Sequence, residues 1–198
     1  VLTDFPTVKF KVIYADPPWK FKPWCHISGT GKSAEHHYNT MTLEDICNLP
    51  VSSIAEEDSV LFLWVVQAQL PEAMEVIKAW DFKFQTVAFC WIKMPKLWTP
   101  FDGRVEPRIG LGYHTRSGME QCWLATRGKG YQKHSKGVRQ VLHSPLREHS
   151  RKPDEFVDRI EQLCGDVSRV ELFGRMERPG WTVWGNDVKK FKQERGLF

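Results

Sequence analysis

The decapeptide Val12–Phe21, "VIYADPPWKF", joins a run of strand-forming residues to a carboxylate, two prolines and a tryptophan. Together with the residues before it, "VKFKVIY" (Val8–Tyr14) alternates in part and then runs apolar, which predicts a strand buried on at least one face and ending just before Asp16. In open α/β sheets ligands bind beyond the carboxyl ends of the strands, so Asp16–Trp19 stands where a site is expected. Pro17 and Pro18 lack an N–H and fix φ; the turn is therefore stiff, and its carbonyls are expected to be free for a ligand. Asp16 adds a carboxylate acceptor and Trp19 a flat face, which suits a ring whose exocyclic amine points at the acceptors. Two acceptors on the hydrogens of that amine would aim its lone pair outward, toward a methyl donor attacked in line, with no metal and no covalent enzyme intermediate. The competing reading is structural: Asp16 as a cap, Trp19 as a core anchor, and the tetrapeptide as a stiff end to a strand. Taken alone, the four residues leave the two readings even.

Downstream, residues 17–41 read as a long loop, and "TLED" (Thr42–Asp45) as a capping box that opens a helix. "SVLFLWVV" (Ser59–Val66) has the uninterrupted apolar character of a fully buried strand. Ala73, Val76, Ile77 and Trp80 mark one face of a helix opened by Pro71. Strands are predicted at about Lys83–Trp91, Glu120–Thr126 and Val138–His143, the first two separated by the irregular "KMPKLWTPFDGRVEPRIGLGYHTRSG" (Lys93–Gly118). Pro153, followed by Asp154 and Glu155, starts a helix striped by Phe156, Val157, Ile160, Leu163 and Cys164. "SRVELFG" and "WTVWG" then read as strands. Strands alternating with helices predict an α/β fold with a mostly parallel sheet and helices on both faces. With no repeat, low-complexity tract or linker, and 198 residues of which 41% are apolar, residues 1–198 are expected to form a single domain.

The five cysteines are odd in number, far apart and without a C-x-x-C pair, so neither a disulfide framework nor a metal site is expected, and a reducing compartment fits best. No apolar run approaches the roughly 20 residues of a membrane helix. Net charge is +4, yet between Arg104 and Lys152 eleven Lys or Arg face three Asp or Glu, a regional excess of eight positive charges. Such a segment suits a polyanion or, more blandly, a solvated surface.

Five motifs in order, "ADPPW", "YNTM" (Tyr38–Met41), "LFLWV" (Leu61–Val65), "RKPDE" (Arg151–Glu155) and "ELFGR" (Glu171–Arg175), resemble the MT-A70 family of adenine-N6 methyltransferases, relatives of the messenger-RNA adenosine methyltransferase subunit. The resemblance runs from about Val12 to Asn186. It implies S-adenosyl-L-methionine as methyl donor and a Rossmann-like methyltransferase sheet in which the catalytic motif precedes the cofactor motif. By the same resemblance Asp16, Pro17, Pro18 and Trp19 hold the target adenine, Asp16 also lies near the donor's amino group, and Lys152 faces its carboxylate. Leu172, Phe173 and Arg175 surround the adenosine half, Asn186 reaches the ribose, and Tyr38 lines the transfer pocket. Each position also has a plain structural reading: Lys152 flanks a helix start, Phe173 belongs to the core, Asn186 to a turn. After Phe173-Gly174-Arg175 the chain reads "MERPGW", without the His-Asn pair of the messenger-RNA enzyme, so Glu177 is a candidate substitute.

Compact relatives look like bacterial or phage modification enzymes. The resemblance therefore implies DNA in preference to RNA, no membrane, and the cytoplasm of a bacterial or phage-infected cell. Arg104, Arg108, Arg116, Lys129 and Lys133, from the basic loops Lys93–Arg116 and Arg127–Lys152, are expected to hold phosphates. Leu97, Trp98 and Phe101 stand as a wedge into nucleic acid or as a contact with a homodimer mate or other subunit. Alternatives are an RNA adenosine methyltransferase, a methyltransferase for a small amine, and a non-catalytic nucleic-acid-binding scaffold subunit.

Overall fold

In the computed structural model, which describes residues 4–20, 40–110, 114–148, 150–186 and 188, the predicted first strand is β1, Phe10–Ala15. Its side chains alternate across the sheet. Ile13 and Ala15 enter one apolar cluster, while Val12 and Tyr14 enter the other. A strand buried on both faces needs a partner along each edge. β1 therefore pairs in parallel with β2 (Ala55–Val65) on one side and with β6 (Arg169–Leu172) on the other.

The remaining elements follow the chemistry of their ends. Thr42 caps α1 (Leu43–Cys47): its hydroxyl accepts from the Asp45 N–H at 3.1 Å, and the Asp45 carboxylate accepts from the Thr42 N–H at 3.3 Å. A short α2 (Val51–Ile54) leads directly into β2. α3 (Leu70–Ala79) has Pro71 in its first turn, and α4 (Glu155–Cys164) buries Phe156, Val157, Ile160 and Cys164. β3 (Lys83–Met94) runs three residues beyond the predicted end, and β4 (Met119–Arg127) matches the expected strand closely. β5 (Val141–Pro145) starts three residues later than predicted, and β7 (Thr182–Trp184) completes the set.

The sheet has seven strands in the order β5-β3-β4-β2-β1-β6-β7. β4 is antiparallel to both of its neighbours, and every other pairing is parallel. The sheet is thus mixed, with one reversed strand. Residues from α1, α2 and α3 (Ile46, Ile54, Val76, Ile77) cover one face, and residues of α4 (Phe156, Val157, Ile160) cover the other, so helices lie on both faces as expected. Among the described residues no helix is long and apolar enough to cross a membrane.

The reversed strand decides which loops share an edge with Asp16. β1, β2, β3 and β5 all end at that edge, so the β3–β4 loop and the β5–α4 segment belong to it. The β4–β5 connection begins at the opposite edge, because Arg127 pairs with Ser59 near the start of β2.

Candidate active site

Asp16 follows the last residue of β1, at the edge where the parallel strands end. The corner after it is held by backbone. Pro17 O accepts the Trp19 N–H at 2.9 Å, a tight turn; Pro18 O accepts the Met41 N–H at 2.9 Å, and Met41 O accepts the Lys20 N–H at 3.2 Å. The two proline carbonyls are therefore not both free, as the sequence suggested: Pro18 is committed to Met41, while Pro17 keeps one lone pair beyond its turn. Met41, at the end of "YNTM", clamps the corner. Tyr38 of the same motif lies outside the described residues.

Trp19 requires a second correction. Only 4% of it is exposed, and its indole N–H donates to Trp64 O at 3.1 Å. It is a core anchor that locks the corner against β2, with little face left for a stacked ring.

Facing Asp16 is Lys152. Its Nζ donates to Asp16 Oδ1 at 2.8 Å and Oδ2 at 2.7 Å, lies 3.4 Å from Glu120 Oε2 and sits 5.2 Å from the Trp64 ring centroid. A neighbouring staple holds it there. Arg151 is 6% exposed and pairs with Glu148 and Asp154; Arg147 and Arg178 also bind Asp154, and Arg178 reaches Glu171 at 2.8 Å. Three of the eleven basic residues of the Arg104–Lys152 segment, Arg147, Arg151 and Lys152, are thus paired inside the molecule.

Burial pushes the Asp16 carboxyl above its usual value, and the nearby Glu120 charge adds to that, while Lys152 and Arg175 oppose it. For Glu120 burial acts in the same upward direction, but Lys152 and Lys93 outweigh it and hold the carboxyl below the usual range. Lys93 is hydrogen-bonded to Glu120, so Lys93, Glu120, Lys152 and Asp16 form one chain of alternating charge. Sequence reading missed Glu120. It lies at the start of β4, and its partners are remote along the chain; nothing local marks it.

The second wall comes from the end of β6. Phe173 has φ of 64°, a strained region for a residue with a side chain. Its ring packs edge-on against Trp184 at 5.5 Å, so the core reading of its side chain holds while its backbone bends the chain out of the sheet. Gly174 and Gly185 are small by necessity. A Cβ on Gly174 would lie 2.3 Å from Val183 Cγ1, and one on Gly185 would lie 2.2 Å from Gly174 O. Beside this turn lies a cleft lined by Tyr14, Asp16, Lys152, Glu171, Phe173 and Arg175, among others. Leu172 is fully buried, so its side chain is core and only its backbone can face the cleft. Asn186 is exposed just beyond β7 at the same edge; Glu177 is exposed on the segment joining β6 to β7.

The phosphate candidates divide. Arg104, Arg108 and Arg116 are exposed on the β3–β4 loop, at the Asp16 edge. Lys129 is not there: its N–H donates to Asp58 Oδ1 at 2.7 Å, five residues before the Leu63 that pairs with Ala15, which is roughly 17 Å along the strand. Lys133 follows on that edge too, since the His134 N–H bonds Leu163 O near the end of α4 at 2.8 Å. The sequence grouped these lysines with the arginines; the reversed direction of β4 separates them.

A profile of the MT-A70 family matches residues 10–187. The Type II methyltransferase M.MunI of a Mycoplasma species is 30% identical over 209 residues, covering 98% of this chain and 84% of that protein. The human N(6)-adenosine-methyltransferase catalytic subunit METTL3 is 28% identical over 183 residues, covering 91% of this chain. The Arabidopsis thaliana N(6)-adenosine-methyltransferase MT-A70-like protein is 28% identical over 181 residues, covering 90% of it. This chain spans only 28% of the human protein and 24% of the plant one. The profile runs from the first residue of β1 to just past β7, so every strand of the sheet falls inside it: this chain belongs to the MT-A70 family.

Proposed function

We propose that the protein transfers the methyl group of S-adenosylmethionine to the N6 amine of adenine in DNA. The observation that carries this reading is the Asp16–Lys152 pair at the end of β1, facing the glycine turn at the end of β6 across one cleft. A zwitterionic amino-acid head matches that pair in charge, its ammonium toward Asp16 and its carboxylate toward Lys152. The missing side chains of Gly174 and Gly185 let the ends of β6 and β7 pack directly on each other, and Arg175 and Asn186 border the same edge as polar groups for a ribose. When bound, S-adenosylmethionine supplies an electrophilic methyl carbon on a sulfonium.

The chain's own residues supply orientation. The Asp16 carboxylate and the remaining lone pair of Pro17 O accept the two hydrogens of the adenine amine, which favours a pyramidal nitrogen with its lone pair turned toward the donor. Trp19 acts from below by fixing the corner through its bond to Trp64 O. DNA is preferred because the relative matched over most of its own length is the Type II methyltransferase, while the N(6)-adenosine-methyltransferases are matched over less than a third of theirs.

The test is incubation of the protein with methyl-labelled S-adenosylmethionine and single-stranded DNA, duplex DNA and RNA, with the modified base mapped. We expect N6-labelled adenine in DNA, and at least a ~100-fold lower rate for Asp16→Asn, the scale of losing one preorganised polar contact to the reacting group. Label in neither nucleic acid, or normal turnover by the variant, overturns the reading; label in RNA alone overturns its choice of DNA.

A further inference from the structure

Three large apolar side chains of the β3–β4 loop are exposed at the Asp16 edge, and the most exposed are Leu97 and Phe101, each 93%, with Ile109 at 76%. Leu97 and Phe101 are held out by ordered backbone. The Trp98 N–H bonds Pro95 O at 3.0 Å and the Asp102 N–H bonds Thr99 O at 3.1 Å, giving two successive four-residue turns with Leu97 and Phe101 each in the third position. Pro100 fixes φ in the second turn. The Asp102 carboxylate accepts from the Thr99 N–H, and Gly103 leaves the turn with φ of 70°. Below the tip the loop is zipped, Arg108 N–H to Lys93 O at 2.7 Å and Lys93 N–H to Gly118 O at 2.9 Å. Lys93 in turn begins the charged chain that ends on Asp16. The loop base is thus connected to the site, three strands or about 14 Å across the sheet.

The rim of this tip is basic. Lys96, Arg104, Arg108 and Arg116 are exposed; of the two carboxylates, Asp102 is engaged inside its turn and Glu106 meets Arg104 at 3.7 Å with both side chains largely in solvent. We propose that the Leu97–Phe101 tip enters the base stack of duplex DNA and fills the gap left by the extruded adenine, with Arg104 and Arg108 on the flanking phosphates. An adenine in a duplex must leave the stack to reach Asp16, and apolar side chains inserted between base steps are the known physical means of opening a stack. A second copy of the chain fits less well: a twofold contact would bring two basic rims together, and three projecting side chains are far short of the roughly 800 Å² per partner of a stable interface.

The proposal rests on the methyltransferase reading above, and its test separates the two. The target site is mapped on plasmid DNA with the wild-type protein, then placed in a paired duplex and in one with an abasic residue opposite the target adenine. Phe101→Ala is expected to slow methylation of the paired duplex at least about tenfold, with the deficit shrinking below about threefold when the opposing base is absent. 2-Aminopurine at the target position should brighten with the wild type and stay quenched with the variant. Equal losses on both duplexes overturn the proposal, as does loss of a dimer in sedimentation with paired-duplex methylation intact, which would assign the tip to a subunit contact. Wild-type labelling of single strands alone overturns the wedge and leaves the methyltransferase standing; no label in any nucleic acid overturns both.

Discussion

Asp16 carries opposing demands. A carboxylate accepts hydrogens best when ionised, yet burial and Glu120 resist ionisation of Asp16, and Lys152 and Arg175 offset only part of that. Because the raised pKa leaves the acid protonated at higher pH than usual, the methylation rate is expected to fall on the acid side through an ionisation above the ordinary Asp value. Replacing Glu120 by Gln removes one like charge, so Asp16 should ionise more readily and the acid limb of the rate profile should move to lower pH. An acid limb that stays or moves upward would contradict the charge chain. Trp19 shows how a residue's type can point two ways: indoles stack on bases and also anchor cores, and only its hydrogen bond to Trp64 O and its burial choose the second.

Among the elements, the apolar patterns and the caps were legible because they are local. The Thr42–Asp45 box, the proline-opened α3, the stripe of α4 and the buried run of β2 all follow from side chains within one or two turns of each other. Strand direction is not local. β4 has the same apolar character whichever way it runs, so its reversal, and with it the removal of Lys129 and Lys133 from the site, could be read only from pairing. Glu120, Arg178 and the Met41 partner of the Pro18 carbonyl share that remoteness. The β6–β7 end offers a sharp test, since Gly174→Ala places a Cβ 2.3 Å from Val183 Cγ1. The variant should lose S-adenosylmethionine binding, read by calorimetry, at least tenfold, while retaining a cooperative unfolding transition; unchanged binding would mean that this turn does not shape the cleft. The staple before α4 is testable through stability. Burial pushes the Asp154 carboxyl up, but its bonds to Arg147 and Arg178 win and hold it below the usual range. Its contribution is therefore full above the ordinary Asp pKa and lost as pH falls through the lowered one. Asp154→Asn should cost about 3 kcal/mol in urea denaturation at neutral pH, and the difference from wild type should shrink below about pH 4.

At the scale of the whole molecule, charge is distributed by edge. The arginines of the β3–β4 loop face the solvent on the same edge as Asp16, Arg147 and Arg151 of the β5–α4 segment are paired internally, and the lysines after β4 occupy the far edge. Neutralising Arg104, Arg108 and Arg116 together is accordingly expected to weaken DNA binding and to flatten the dependence of log K on log salt by up to about 3, near one per phosphate contact. The same change at Lys129 and Lys133 should leave that slope in place, as titrations across a salt series would reveal; a matching drop would return the lysines to the interface.

The position of β1 between β2 and β6 also governs how the protein comes into being. Lys11 and Ser168 meet across a separation of 157 residues, which a ribosome takes roughly 10–30 s to synthesise. Throughout that interval the nascent first strand carries the Asp16–Trp19 corner with one side unzipped, a sticky template for neighbouring chains. The late-arriving β6 both seals that side and builds the opposite wall of the cleft, so completion of the cleft and protection from aggregation are acquired in the same closing event.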